Sequence, residues 1–198
     1  IITGGLHGLD CYLARVEVDC SRGLPGFEMV GLLGSEVKEA RERIRVALRN
    51  AEIELPPMRI TVNISPASLH KAGTFYDLPV AAGILAAQGL ILSEDVERIM
   101  IAGELGLNGE VRPVRGILPM VLEARKKGLE RCIIPEENVE EARMVEGIHL
   151  RGIRELRELA DAVREKGERT PGKKKRLDQA AQGPDFGEIR GQEGAKRA

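Results

Sequence analysis

The residues of this chain with chemistry to offer gather around one stretch, Arg59 to Gly89. Ser65, Ser68 and Lys71 stand close together there, and a lysine that takes the proton of a serine hydroxyl generates a nucleophile for acyl transfer. The same residues also read as a strand end followed by a polar loop, which is the expectation here. Asp77 and, farther on, Glu104 could share acid–base work or hold Mg²⁺, but nothing in their spacing fixes their separation. Asp77 is expected to be an N-cap, accepting hydrogen bonds from free amides at a helix start and complementing its positive end. Glu104 is expected to end a strand.

Other chemistries find less support. Cys11, Cys20 and Cys132 are odd in number and scattered, and no CxxC pair occurs, which argues against a disulfide framework and suits a reducing compartment. His7, His70 and His149 are equally dispersed, so no zinc-ligand spacing is present. The Gly23-Leu24-Pro25-Gly26 turn lacks the lysine and helix of a phosphate loop, and G-x-x-x-x-G-K-[ST] is absent from the whole sequence. Two basic clusters remain: Lys38, Arg41, Arg45 and Arg49, and the run Lys173, Lys174, Lys175 and Arg176. Either could meet phosphates or a neighbouring subunit; the first also reads as a solvated helix face supported by pairs such as Glu39 with Arg43.

The elements that must position these residues follow from periodicity. Ile60, Val62 and Ile64 alternate with Thr61, Asn63 and Ser65, predicting a strand with one buried face. Leu78 to Gln88 is apolar all round and rich in small residues, predicting a buried helix that ends at Gly89. Leu13 to Cys20 and Phe27 to Leu33 predict adjacent antiparallel strands. Ser35 is expected to cap a helix whose inward stripe is Val37, Ala40, Ile44, Ala47, Leu48 and Ala51. Ile99 to Leu105 and Glu110 to Val111 flank Leu107-Asn108-Gly109, predicting a hairpin. A helix over 116–127, a short strand over 131–134, a helix over 136–145, a strand end at His149 to Leu150 and a closing helix over 153–165 complete the pattern. The fold class is α/β, an α+β sandwich with a mixed sheet, hairpins and packed helices.

Several of these stretches carry a resemblance. RITVN-x-SPA, then K-x-G-x-x-x-DLP-x-A-x-GILAA, together with GLPGFEMVGL, VKEARERIRVALRN, GELGLNGEVRPVRGILPM and IIPEEN, resemble the N-terminal domain of the YifB/ComM family of magnesium-chelatase-like AAA+ ATPases. The resemblance implies a fold like the Lon proteolytic domain and the ribosomal small-subunit protein-like fold. It implies a hexameric, DNA-remodelling branch-migration motor of recombination and natural transformation, whose AAA+ module uses ATP and Mg²⁺ and assembles the homo-oligomer. This domain would serve assembly and DNA contact with no cofactor of its own. Alignment with Lon puts Asp77 at the place of the nucleophile and Leu118 at that of the lysine, so neither member of the dyad is present. The rival implications are a Lon-like serine peptidase and a magnesium chelatase subunit.

The expected organisation is a Lon-like domain over 1–166, a basic linker over 167–184 and the start of an AAA+ module over 185–198. In that last segment Ile189, Gly191 and Gln192 match residues that border the adenine pocket. With 30 Lys+Arg against 31 Asp+Glu, no global field draws the chain to nucleic acid, so basic surface must be local. No apolar run reaches the length of a membrane span, and the expected location is cytoplasmic.

Overall fold

A computed structural model describes residues 1–8 and 10–165. In chain order the elements are β1 Ile2–His7, β2 Asp10–Ser21, β3 Gly26–Val30, α1 Ser35–Asn50, β4 Arg59–Ser65, α2 Asp77–Ala87, β5 Ile99–Ile101, β6 Glu104–Leu105, β7 Val111–Arg112, α3 Ile117–Lys126, β8 Arg131–Pro135, α4 Val139–Ala142, β9 His149–Ile153 and α5 Leu159–Arg164. The strands form a mixed sheet in the order β3-β4-β2-β1-β5-β8-β9, with β6 and β7 as a separate ribbon. The α/β class and mixed sheet read from the sequence are what the structure has.

β4 keeps Ile60, Val62 and Ile64 buried on one face, as its alternation requires. Its place in the sheet differs from expectation. β2 and β3 are not neighbours: β4 lies between them, antiparallel to β2 with Val18 opposite Val62, and parallel to β3 with Phe27 opposite Ile60. The cause is α1, which sits between β3 and β4 in the chain and makes them a strand–helix–strand crossover, whose strands run parallel. β1 carries no periodic signal in the sequence, because two of its positions, Gly4 and Gly5, have no side chain. A Cβ at Gly4 would run into Met120 of α3, and one at Gly5 into the Tyr12 ring, so both glycines are set by close packing.

Register assigns the two faces of the sheet. Ala14, Val16 and Val18 share a face with Ile60, Val62 and Ile64, and α2 lies on it, with Gly83 against Val18. α2 is buried from Asp77 to Leu85 on every side, held between the sheet and α1. α3 covers the opposite face at Gly4 and Leu6.

Four element boundaries depart from the periodicity. Ser35 is the first helical residue of α1 and Gly34 is its N-cap, with no side-chain capping bond. The predicted strand over 99–105 breaks after β5, because Gly103 turns aside to receive the Leu78 amide and to donate to Phe75 O, at 3.0 and 3.1 Å. The hairpin is therefore only β6 and β7, closed by Gly106 N–H to Glu110 O at 2.8 Å, with Gly109 at φ 86° as its left-handed residue. The helix expected over 136–145 is a 3₁₀ turn followed by the short α4, and that expected over 153–165 is the end of β9, a 3₁₀ turn and α5. No helix among the described residues is long and apolar enough to cross a membrane.

Candidate functional site

α1 is amphipathic, and its buried stripe of Val37, Ala40, Ile44, Ala47 and Leu48 faces the core. Arg43 projects from the flank of that stripe that faces α2. Its Nε donates to Asp77 Oδ2 at 2.9 Å and its Nη2 to Asp77 Oδ1 at 3.0 Å, while Nη2 also donates to Glu36 O at 3.1 Å. The Leu105 amide donates to Asp77 Oδ2 at 3.3 Å. One carboxylate thus joins α1, α2 and β6. Asp77 is wholly buried, whereas the Arg43 side chain keeps 24% of its surface exposed.

This corrects the reading of Asp77 as a cap. Tyr76 occupies the N-cap position, and no side-chain capping bond forms. The guanidinium fork fits both carboxylate oxygens at once, and charge-assisted bonds are stronger than a bond to a neutral amide. The negative charge in the first turn of α2 still complements that helix end. The expected Glu39–Arg43 surface pair is replaced by this inward one. Burial pushes the Asp77 carboxyl up to about 6, against the downward pull of Arg43 and the Leu105 amide, with Glu104 adding to the rise. Arg43 in turn is held above its usual range, chiefly by its hydrogen bond to Asp77.

The other candidates lie around this junction without forming a reacting set. Thr74 Oγ1 hydrogen-bonds Glu104 Oε2 beside the pair. Among the described residues no group of three or more His, Cys, Asp or Glu could hold a metal ion. Lys71 has no exposed surface, and its Nζ donates to Pro66 O and, at 2.8 Å, to Leu69 O rather than to a serine hydroxyl. Burial lowers its pKa. Ser65 Oγ donates to Arg15 O at 3.4 Å, and Ser68 is exposed. Leu118 is half-buried against the core. The ammonium of Lys71 therefore fastens the 66–71 loop, and its backbone ties that loop to the segment after β3 through Lys71 N–H to Leu32 O, 2.9 Å, and Gly34 N–H to Lys71 O, 2.8 Å.

Lys38, Arg41, Arg45 and Arg49 are all exposed on α1. At about 100° per residue, Arg41 falls on the flank opposite Arg43, and Arg45, Lys38 and Arg49 continue from it toward the outer crest. Arg41 has Glu42 beside it at 3.8 Å. Lys173, Lys174, Lys175 and Arg176, and Ile189, Gly191 and Gln192, lie outside the described residues. Sequence reading missed Arg43 and Lys71 as structural cations; the one available signal was that Arg43 lies closer to the apolar stripe than the basic row's crest does.

A family model described as subunit ChlI of Mg-chelatase matches residues 16–138. The chain belongs to that family. Among the curated relatives of this ChlI-family chain are an uncharacterised protein of Mycobacterium tuberculosis strain H37Rv, 42% identical over 159 residues, covering 80% of this chain and 32% of the relative; the competence protein ComM of Haemophilus influenzae, 44% identical over 138 residues, covering 70% and 27%; and YifB of Escherichia coli K12, 40% identical over 140 residues, covering 71% and 28%. A weaker likeness, 27% over 171 residues, joins it to Lon protease 2 of Bacillus subtilis, covering 81% and 30%. The chain spans about a third of the length of the curated relatives it matches. The magnesium-chelatase-like membership expected from the sequence is therefore shown, with the Lon likeness beside it.

Proposed function

We propose that this chain is the N-terminal, catalytically silent domain of a magnesium-chelatase-like AAA+ ATPase that remodels DNA, and that it serves assembly and DNA contact. The observation that carries the silence is the state of Asp77. At the place where the Lon likeness puts a nucleophile stands a buried carboxylate whose two oxygens are taken by Arg43 and the Leu105 amide. Leu118, at the place of the lysine, has no proton to move. The name of the competence relative from Haemophilus influenzae supports a role in DNA handling. The ATP and Mg²⁺ chemistry, and assembly into a hexameric ring, belong to the AAA+ module, for which Ile189, Gly191 and Gln192 would border the adenine. In this reading the domain works in the cytoplasm.

DNA contact, where it occurs, is to phosphates through Lys38, Arg41, Arg45 and Arg49 or through Lys173 to Arg176. Affinity then falls with salt by about 0.9 log units per log unit for each phosphate neutralised on duplex DNA, with little dependence on sequence. Gel shifts at low salt test this: charge reversal of the α1 row should weaken binding if the helix faces DNA, and deletion of 167–184 should do so if the linker does. Binding untouched by both changes refutes the assignment of the contact. Peptidase turnover that survives purification and disappears on mutating Ser65 or Ser68 refutes the silence.

A further inference from the structure

Among the described residues the sheet ends on β3, whose outer side carries no neighbouring strand. The Gly26 amide donates toward β4, to Met58 O at 3.3 Å. Backbone groups of successive strand residues point to alternate sides, so the N–H and C=O of Phe27 and Met29 face outward. Natural edges are commonly blunted by lysine, proline or a bulge. Between Gly26 and Val30 there is neither lysine nor proline, and the one charge, Glu28, is paired with Arg59 on β4 at 2.9 Å. Three large aliphatic side chains lie on or beside the strand: Leu24 at 90% exposed, and Val30 and Leu32 each at 51%.

α1 supplies the second observation. α2 sits inboard, over β2, and α1 outboard, against β3. Arg43 marks the inboard flank of α1 through Asp77, so Arg41 and Arg45, on the other flank, lie on the side of the free edge, with Lys38 and Arg49 following toward the outer crest. Register places Val30 on the opposite face of the sheet from α1, because Phe27 and Met29 share the α1 side with Ile60 and Val62. The edge thus has the α1 cations beyond one face, Glu28 and Val30 on the other, and outward-facing backbone groups between.

We infer that this edge accepts an extended acidic segment of a partner polypeptide as an eighth strand. Backbone bonds form to Phe27 and Met29, carboxylates on alternate residues meet Arg41 and Arg45, and aliphatic side chains on the others lie beside Val30. Duplex DNA could use the arginines but not the outward-facing backbone groups, so a polypeptide uses more of what is there. The inference rests on the contact role proposed above and names the partner's chemistry.

The test uses the 198-residue chain and a fluorescein-labelled peptide of alternating glutamate and valine, read by anisotropy at low salt. Saturable binding is expected, with the lysine–valine counterpart weaker by roughly tenfold or more. Met29→Pro should weaken the acidic peptide by roughly tenfold, since an edge strand tolerates proline where its amide faces solvent. Arg41→Glu with Arg45→Glu should weaken the acidic peptide and spare a threonine–valine one. If Met29→Pro does not fold, amide exchange in the unaltered protein decides: saturating peptide should slow Phe27 and Met29, while Gly26 changes little. Peptide binding that ignores Met29→Pro and leaves those amides unprotected overturns the inference. So does a labelled duplex that binds through Arg41 and Arg45 while the peptide does not, which would leave the DNA-contact reading standing; no binding of peptide overturns the edge site, whatever the DNA result.

Discussion

Arg43→Leu strands the Asp77 carboxylate in the core. In the intact protein that group receives three hydrogen bonds, two of them from the guanidinium, and has no exposed surface. After the substitution only the Leu105 amide remains, and the carboxyl must either stay ionised without its partner or take up a proton. The second route adds a charge-linked cost: the intact protein already holds the carboxyl at about 6, so keeping it protonated at about pH 7 costs roughly 1.4 kcal/mol more, at about 1.36 kcal/mol per unit. The two hydrogen bonds lost from the guanidinium add to that, and because Arg43 is partly exposed and water can reach the vacated space, the expected loss is about 1 to 3 kcal/mol, below the roughly 3 to 5 for breaking a wholly buried pair from one side. Urea denaturation followed by circular dichroism measures it. The pH dependence has a definite sign. The folded-state pKa of Asp77, about 6 in the intact protein, rises further without Arg43. A group whose folded pKa exceeds its unfolded value stabilises fully below the unfolded pKa and loses that contribution as pH climbs through the folded one. The deficit of Arg43→Leu should therefore be greatest near pH 8 and shrink toward pH 4, and adding Asp77→Asn should remove most of it. A deficit below about 1 kcal/mol, or one that stays constant across that range, refutes the account of the junction.

Lys71→Met should destabilise by about 2 to 4 kcal/mol, because Pro66 O and Leu69 O lose a charged donor; a thermal midpoint equal to that of the unaltered protein would show that the ammonium does not hold this loop. Gly5→Ala drives a methyl into the Tyr12 ring, and a loss of about 1 to 3 kcal/mol in urea is expected, with no loss meaning that β1 and Tyr12 are not packed as described. Asn138→Ala removes an amide that both accepts from Val114 N–H at 2.8 Å and donates to Val114 O at 3.0 Å; about 1 to 3 kcal/mol should go with it, and an unchanged midpoint would count against that clamp.

What the sequence made legible was what depends on neighbours along the chain. β4 and α2 could be read because alternation and all-round apolarity are local signals of one buried face and of complete burial. β1 could not, since Gly4 and Gly5 leave no side-chain pattern to count. The order β3-β4-β2 was open to topological reasoning, because a helix between two strands calls for a parallel crossover, but the Gly23 to Gly26 turn invited a hairpin. At the site, the choice between Asp77 as a cap and Asp77 as a partner of Arg43 is made by where α1 lies against α2. Nothing within either helix encodes that distance. The motifs were more informative than the periodicities for family, because they record pieces of backbone packing, such as the DLP first turn of α2, that composition does not.

The complete burial of α2 imposes an order of events on synthesis. β2, β3, α1 and β4 all precede α2 in the chain, so Ala14, Val16 and Val18 have nothing to cover them until Ala87 has emerged. At ordinary elongation rates the wait between Ser65 and Ala87 is roughly one to four seconds, long enough for exposed apolar sheet surface to attract chaperones or other nascent chains. α2 cannot wait apart either, having no polar side to offer water. A nascent chain halted before Asp77 carries an open apolar sheet, and slow codons in that interval would lengthen its exposure.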